Sequence, residues 1–530
     1  MTRDPIKEGL ASGWKAIDAA ALERDLEIEA DVAIVGSGAG GGVTAEILAQ
    51  AGLKVAIIEE GPLASSTDFR MREREAYPQL YQESAGRQSL DKSITILQGR
   101  CVGGSTTVNW TSSFRTPPRT LGYWKDSLGL KSMDEAALAP WFQRMEERLA
   151  IAPWPVAPNE NNDILRRGCE KLGIATGAIQ RNVKGCFNLG YCGMGCPTNA
   201  KQSMLVTTIP AALDRGATLV HRARVTRLVL ARDRVVSLDA YGVAGNGAAQ
   251  LPYRVRVRAK HFVLAAGAIG SAGVLLRSAV PDPALTLGKR TFLHPTVVSA
   301  GVMAQKVEGY FGAPQSIYSD HFLDAQPLDG PAGYKLESAP THPILVGITL
   351  PGFGEEHARW MAKFPNVQVV IALLRDGFHP QSNGGRVVLR DDGSAVLDYV
   401  MSPYLWEGAR RAFLTMAEIQ FAAGAQAVRP MHENARGSNS WRQARAEIVA
   451  LPMRALATRV VSAHVMGGCA MGGEPRTSVV DEAGRYHHLA NLSVHDGSIF
   501  PTSVAANPQL SIYGICARLA TGLARTLRPA

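Results

Sequence analysis

The stretch SAHVMGGCAMGG, residues 462–473, sets His464, Met466, Cys469 and Met471 on one glycine-bounded segment. Those side chains could hold a soft metal, pack a turn, or present an imidazole as a base poised near physiological pH. Flexible glycines preorganise a metal poorly and no second ligand cluster adjoins, so Met466 and Cys469 read as packing residues. A second group, Cys186, Cys192 and Cys196, is spaced by six and four residues. Three thiolates could carry an iron–sulfur cluster, but this spacing fits no strong cluster motif, and zinc would need a fourth ligand. A thiol-rich packed loop is expected there, and no metal site is expected. The third candidate is an acid: Glu59 follows Gly36, Gly38 and Gly41 in ADVAIVGSGAGGGVTAEILAQAGLKVAIIEEG.

Those groups need elements to hold them. The glycine-rich segment reads as strand, tight turn, helix and second strand, with the acid about twenty residues on, the fingerprint of a dinucleotide site. Gly36 permits the turn, Gly38 lets a pyrophosphate approach, Gly41 lets the helix pack closely, and Glu59 is placed to accept ribose hydroxyls. From Thr218 to Ala259 the apolar period falls to two, which predicts an antiparallel meander. HFVLAAGAIGSAGVLLRSAV then reads as a buried strand returning to the first sheet, followed by a helix. Ser132 with Glu135 fits a capping box. Residues 136–204 and 300–455 are less regular and rich in proline, tryptophan and histidine.

The fold class expected is therefore α/β with mixed α+β character. A Rossmann-like nucleotide-binding domain with a parallel sheet and a β-meander would span 28–135, 205–299 and 456–530. An inserted substrate-binding domain, a β-sheet with helices, would span 136–204 and 300–455. At 46% hydrophobic and 19% charged residues the composition is that of an ordinary globular protein. The net charge of +9 is scattered, and its clearest cluster, YRVRVRAK, alternates as a half-buried strand does, so nucleic-acid binding is not expected. No secretory leader and no apolar span of membrane length is legible, so a cytoplasmic chain, at most peripheral to a membrane, is expected. Its seven cysteines are expected to be free thiols.

LQGRCVGGSTTVNW, residues 97–110, adds a second glycine-rich segment, and ANLSVHDGSIFPTSVAANPQLSIYGICARLA, from Ala490, adds an Asp-Gly and an Asn-Pro turn. Together with the first motif they resemble the glucose–methanol–choline (GMC) family of flavin-dependent alcohol oxidoreductases over about residues 31–523. The variant HxxGGC followed by Asn-Pro is closest to its cholesterol-oxidase-like and long-chain-alcohol-oxidising branches. The resemblance implies FAD as cofactor. It assigns Gly36, Gly38, Gly41 and Glu59, then Gly99, Gly103, Gly104, Ser105 and Asn109, with Val225, Ala266, Asp496, Gly497, Asn507 and Pro508, to cofactor binding. Val108 stands where some members carry the histidine that links FAD covalently, so non-covalent FAD is expected.

The same resemblance makes His464 the general base, with Asn507 orienting the substrate oxygen while hydride passes to the flavin. His294 in FLHPTVV and His495 before Asp496 read as structural histidines. Apolar runs between Tyr310 and Phe364 lead us to expect a hydrophobic primary or secondary alcohol, oxidised to the aldehyde or ketone. Electrons would pass on to oxygen, a quinone or a redox protein. Two alternatives stay open: the catalytic subunit of a membrane-linked dehydrogenase, and a flavin-binding relative without redox turnover.

Overall fold

In the computed structural model, which describes residues 3–528, the Leu26–Val35 strand ends in four buried residues and Val55–Ile58 is buried throughout. Residues 529 and 530, the end of the expected segment 456–530, lie outside the described residues. Strands covered on both faces carry unbroken apolar runs, and these lie at the centre of an eight-stranded sheet. By residue number the order is 15–18, 218–221, 55–58, 26–35, 250–264, 234–243, 223–231, with 492–494 also on 250–264.

Two expectations change here. Thr218–His221 is not part of the meander: it runs parallel between Val55–Ile58 and Lys15–Asp18. Its period of two matched a strand, but parallel and antiparallel pairing share that period. The alternating YRVRVRA and the apolar HFVL are one strand, Gln250–Leu264. One of its sides runs parallel to Leu26–Val35. Its other side pairs antiparallel with the meander as far as Val257, then parallel with Leu492–Val494 from Phe262.

The capping box also shifts. The helix Glu135–Arg148 is capped by Asp134, whose carboxylate accepts from Ala137 N at 2.8 Å. Ser132 is engaged elsewhere, donating its amide and hydroxyl to Glu482.

A second eight-stranded sheet has the order 94–96, 460–462, 296–302, 367–374, 334–338, 317–319, 177–178, with 427–430 also on 296–302. Strand alternation gives it two apolar faces. Val297, Val370, Ala372 and Leu374 pack in the core with Phe413 and Met416 of the helix Pro403–Ala422. Val298, Ala300, Val369, Ile371 and Leu373 point the other way and border a large cavity. A four-stranded sheet has the order 395–398, 385–389, 289–292, 466–467, its last strand beginning two residues after His464. Among the described residues no helix is long and apolar enough to cross a membrane.

Candidate active site

The cavity has a volume of about 1210 Å³ and is walled on one side by the glycine-rich turns and on the other by the second sheet. Gly36, Gly38, Glu59, Gly99, Gly104, Ser105, Asn109, Val225, Ala266, Asp496, Gly497, Asn507 and Pro508 all border it, as do His464 and Val108. Gly41 and Gly103 lie behind the wall. A Cβ on Gly41 would stand 2.0 Å from the Gly36 carbonyl oxygen, so helix and turn can approach only without one.

The two glycine-rich segments are tied through a serine and an acid. Gly103 N donates to Ser37 Oγ at 3.0 Å, and Ser37 Oγ donates to Glu59 Oε2 at 2.6 Å. Glu59 also accepts from the amides of Ser37 and Gly61, and burial pushes its carboxyl above the usual range. Asp496 joins three more pieces: Oδ2 accepts from Gly267 N and Ser271 Oγ, and Oδ1 from Ser498 N. Ser105 Oγ accepts from Gly99 N, and Asn109 Nδ2 donates to Gln509 Oε1.

FAD fits these residues. The helix Ala39–Gln50 begins at the cavity with no side-chain cap, so its first amides are free for a phosphate. Gly104 faces Gly38 across the gap, and a Cβ on it would fall 2.7 Å from Gly38 Cα; its φ is +55°. The opening that a side chain would fill is thus kept clear at the helix terminus.

At the far end of the cavity His464, Asn507 and Glu337 converge. His464 follows the strand Val460–Ser462, its amide held by Ser462 Oγ at 3.1 Å. Its Nδ1 lies 3.2 Å from His294 Nδ1, and burial with nearby Lys335 lowers its pKa to about 4. Asn507 is set by the turn before the helix Gln509–Leu527, and its Nδ2 donates to Glu337 Oε2 at 3.2 Å. Glu337 Oε2 also accepts from Gln315 Nε2 at 2.8 Å, while Oε1 has no partner and is shielded. Burial raises the Glu337 carboxyl to about 7, against the opposing pull of Lys335.

Register explains why Glu337 faces the cavity. It lies opposite Ile371, which lies opposite Val298, so the three share one face of the sheet. Lys335 shares that face, paired with Asp320 at 2.8 Å and capping the Phe114 ring at 3.7 Å. Sequence reasoning missed Glu337: in GYKLES, charged residues alternate with buried Tyr334 and Leu336, the pattern of a solvated face. It also read His294 as a structural histidine only, and His294 contacts His464 directly.

The remaining chemistry-bearing groups lie outside this patch, some buried and Cys186, Cys192 and Cys196 partly exposed. Met466, Cys469 and Met471 are buried, with Met466 on the strand paired to Phe292. Cys186 Sγ accepts from Asn188 N, Cys192 Sγ from Arg181, and Cys196 Sγ from Lys201 N. All seven cysteines are free. His495 bonds Thr44 Oγ1 through Nδ1 at 3.0 Å in the core.

Family models described as GMC oxidoreductase match residues 77–296 and 380–516. The chain belongs to the GMC oxidoreductases. An uncharacterized GMC-type oxidoreductase of Mycobacterium tuberculosis is 31% identical over 494 residues, covering 93% of this chain and 75% of that protein. A long-chain-alcohol oxidase of Arabidopsis thaliana is 27% identical over 506 residues, covering 92% of this chain and 68% of that one. Among solved structures, pyridoxine 4-oxidase from Mesorbium loti superposes with a TM-score of 0.66 at 19% identity, covering 93% of this chain and 98% of that one. This GMC oxidoreductase is therefore an oxidoreductase of a family whose members bind FAD, built on the mixed α/β fold expected.

Proposed function

We propose that this GMC oxidoreductase oxidises a hydrophobic primary or secondary alcohol to the aldehyde or ketone, with FAD bound non-covalently. The observation that carries the reading is the end of the cavity: Val298, Val369, Ile371 and Leu373 form an apolar roof over a polar patch of His464, Asn507 and Glu337. The roof gains about 0.8 kcal/mol for each methylene it covers, while a polyol would leave hydroxyls unpaired against it. The similarity to a long-chain-alcohol oxidase supports the same substrate class.

His464 and Asn507 hold the substrate oxygen from two sides and so set which C–H bond faces the cofactor. Glu337 takes the hydroxyl proton. A general base works best with a pKa near the working pH, and Glu337 at about 7 meets that, whereas His464 at about 4 is the weaker base. We therefore move the base from His464, where the sequence placed it, to Glu337, and keep His464 as a contact to the oxygen. When bound, FAD supplies the hydride acceptor. Gly38, Gly104 and the amides at the start of Ala39–Gln50 would hold its phosphates, Asp496 fixes the turn at Gly267, and Val108 offers no nucleophile for a covalent link.

Anaerobic mixing of the yellow protein with a panel of alcohols tests this. Flavin absorbance should bleach, and kcat/KM should rise with chain length across simple alcohols. Faster bleaching by glucose or choline than by a medium-chain alcohol sinks the substrate reading, and no bleaching by any alcohol sinks the reaction.

A further inference from the structure

Behind His464, one backbone amide dictates where the protons sit. Ala505 N donates to His294 Nε2 at 3.0 Å, so that nitrogen is an acceptor and carries no proton. His294 is enclosed, and burial together with His464 and Lys335 keeps it neutral, its pKa well below the usual value. Its single proton is then on Nδ1, which lies 3.2 Å from His464 Nδ1 and must donate to it. His464 is itself neutral and borders the cavity, and with its Nδ1 accepting from His294 its own proton is on Nε2.

We propose that His294 is a positioning residue that locks His464 as the Nε2–H tautomer, so that His464 meets the substrate oxygen as a hydrogen-bond donor. The lock rests on the reading of His464 as an oxygen contact, and it explains why a separate proton acceptor is required. The surroundings hold His294 firmly. Its φ is +47° and that of Ala505 is +60°, two non-glycine residues in the left-handed region. Asp376 accepts from the amides of Leu293 and His294 and from Tyr399 Oη, and Ser503 Oγ donates to the Asp376 carbonyl. The segment 503–505 and the His294 bend are thus anchored to the same residue, which keeps the Ala505 amide aimed at Nε2.

The test is nitrogen NMR of protein carrying ¹⁵N-labelled histidine, with the His464 signals assigned by their loss in His464→Gln. The wild type should show His464 protonated on Nε2. His294→Leu, which removes the donor, should give a mixture of tautomers and slow flavin reduction, by less than the roughly 10⁴-fold lost where an imidazole base is held wholly in the wrong tautomer. His294→Asn, whose amide puts a donor at the Nδ1 position, should restore both the Nε2–H signal and most of the rate. Wild-type protein with His464 protonated on Nδ1 overturns the proposal, whatever its activity and whether or not the variants fold. So does an unchanged His464 spectrum in His294→Leu. A correct tautomer in protein that reduces no flavin with any alcohol leaves the lock standing and removes the proposed reaction instead.

Discussion

Along the wall formed by residues 36–41 and 99–109, what meets the cavity is mostly backbone: glycines held close, with helix amides open between them. Across the gap the second sheet meets it with side chains, Val298, Ile371 and Glu337 standing abreast on three neighbouring strands. A site made of backbone depends on what is missing, so one added Cβ can close it. A site made of side chains depends on register and can be altered one group at a time. The first kind of change should remove the cofactor, and the second should leave it in place and alter turnover.

Gly104→Val is the sharpest way to break that contrast. The new side chain would meet Gly38 at a backbone φ of +55°, so purified protein should be colourless, with little or no flavin absorbance per chain. Retention of stoichiometric flavin would show that the backbone wall is not where the phosphates sit.

On the opposite wall, Glu337→Gln should keep the flavin and slow its reduction by an alcohol by roughly 10² to 10⁴-fold, the worth of a positioned general base. In the wild type the rate should fall about tenfold per pH unit below a pH of about 7, because protonation removes the acceptor. That acid limb should vanish in Glu337→Gln and persist in His464→Ala. A limb that disappears with His464 instead would return the base to the histidine.

The smallest effect is on stability. The Glu337 carboxyl has an ordinary pKa of 4.5 and about 7 when folded, so the folded chain binds its proton more tightly. The resulting stability is fully present below 4.5 and lost as the pH rises through about 7, a loss of up to about 3 kcal/mol. Glu337→Gln should therefore match the wild type in denaturant near pH 4.5 and exceed it at pH 8. Equal stability at both pH values would mean that the carboxylate is not held in a dry site.

These differences follow how each wall is written in the chain. Gly36, Gly38, Gly41 and Glu59 lie within one short segment, so their spacing could be read directly, and the Asn-Pro turn before the last helix was equally local. Glu337 owes its place to pairing with residue 371, and His294 to the folding of segment 462–464 against it. Neither relation leaves a mark in local composition. The meander was legible in period but not in partner: Thr218–His221 alternates as an antiparallel strand would, yet its neighbour across the sheet is Val55–Ile58. The cap at Asp134 rather than Ser132 differs for the same reason, since Glu482, far along the chain, claims the serine.

The double pairing of Gln250–Leu264 has a consequence for the order in which the molecule can be made. Phe262–Leu264 is joined on one side by residues 33–35, synthesised long before, and on the other by Leu492–Val494, synthesised more than two hundred residues later. Until the ribosome has passed residue 494, that side of an apolar strand is unpaired, and the Asp496 carboxylate that ties Gly267 to Ser498 does not exist. Contacts this distant in sequence fold slowly, and open strand edges invite association with other chains. The nascent protein thus carries an exposed edge while the residues from 265 to 491 are made, and the Asp496 side of the cavity is completed last.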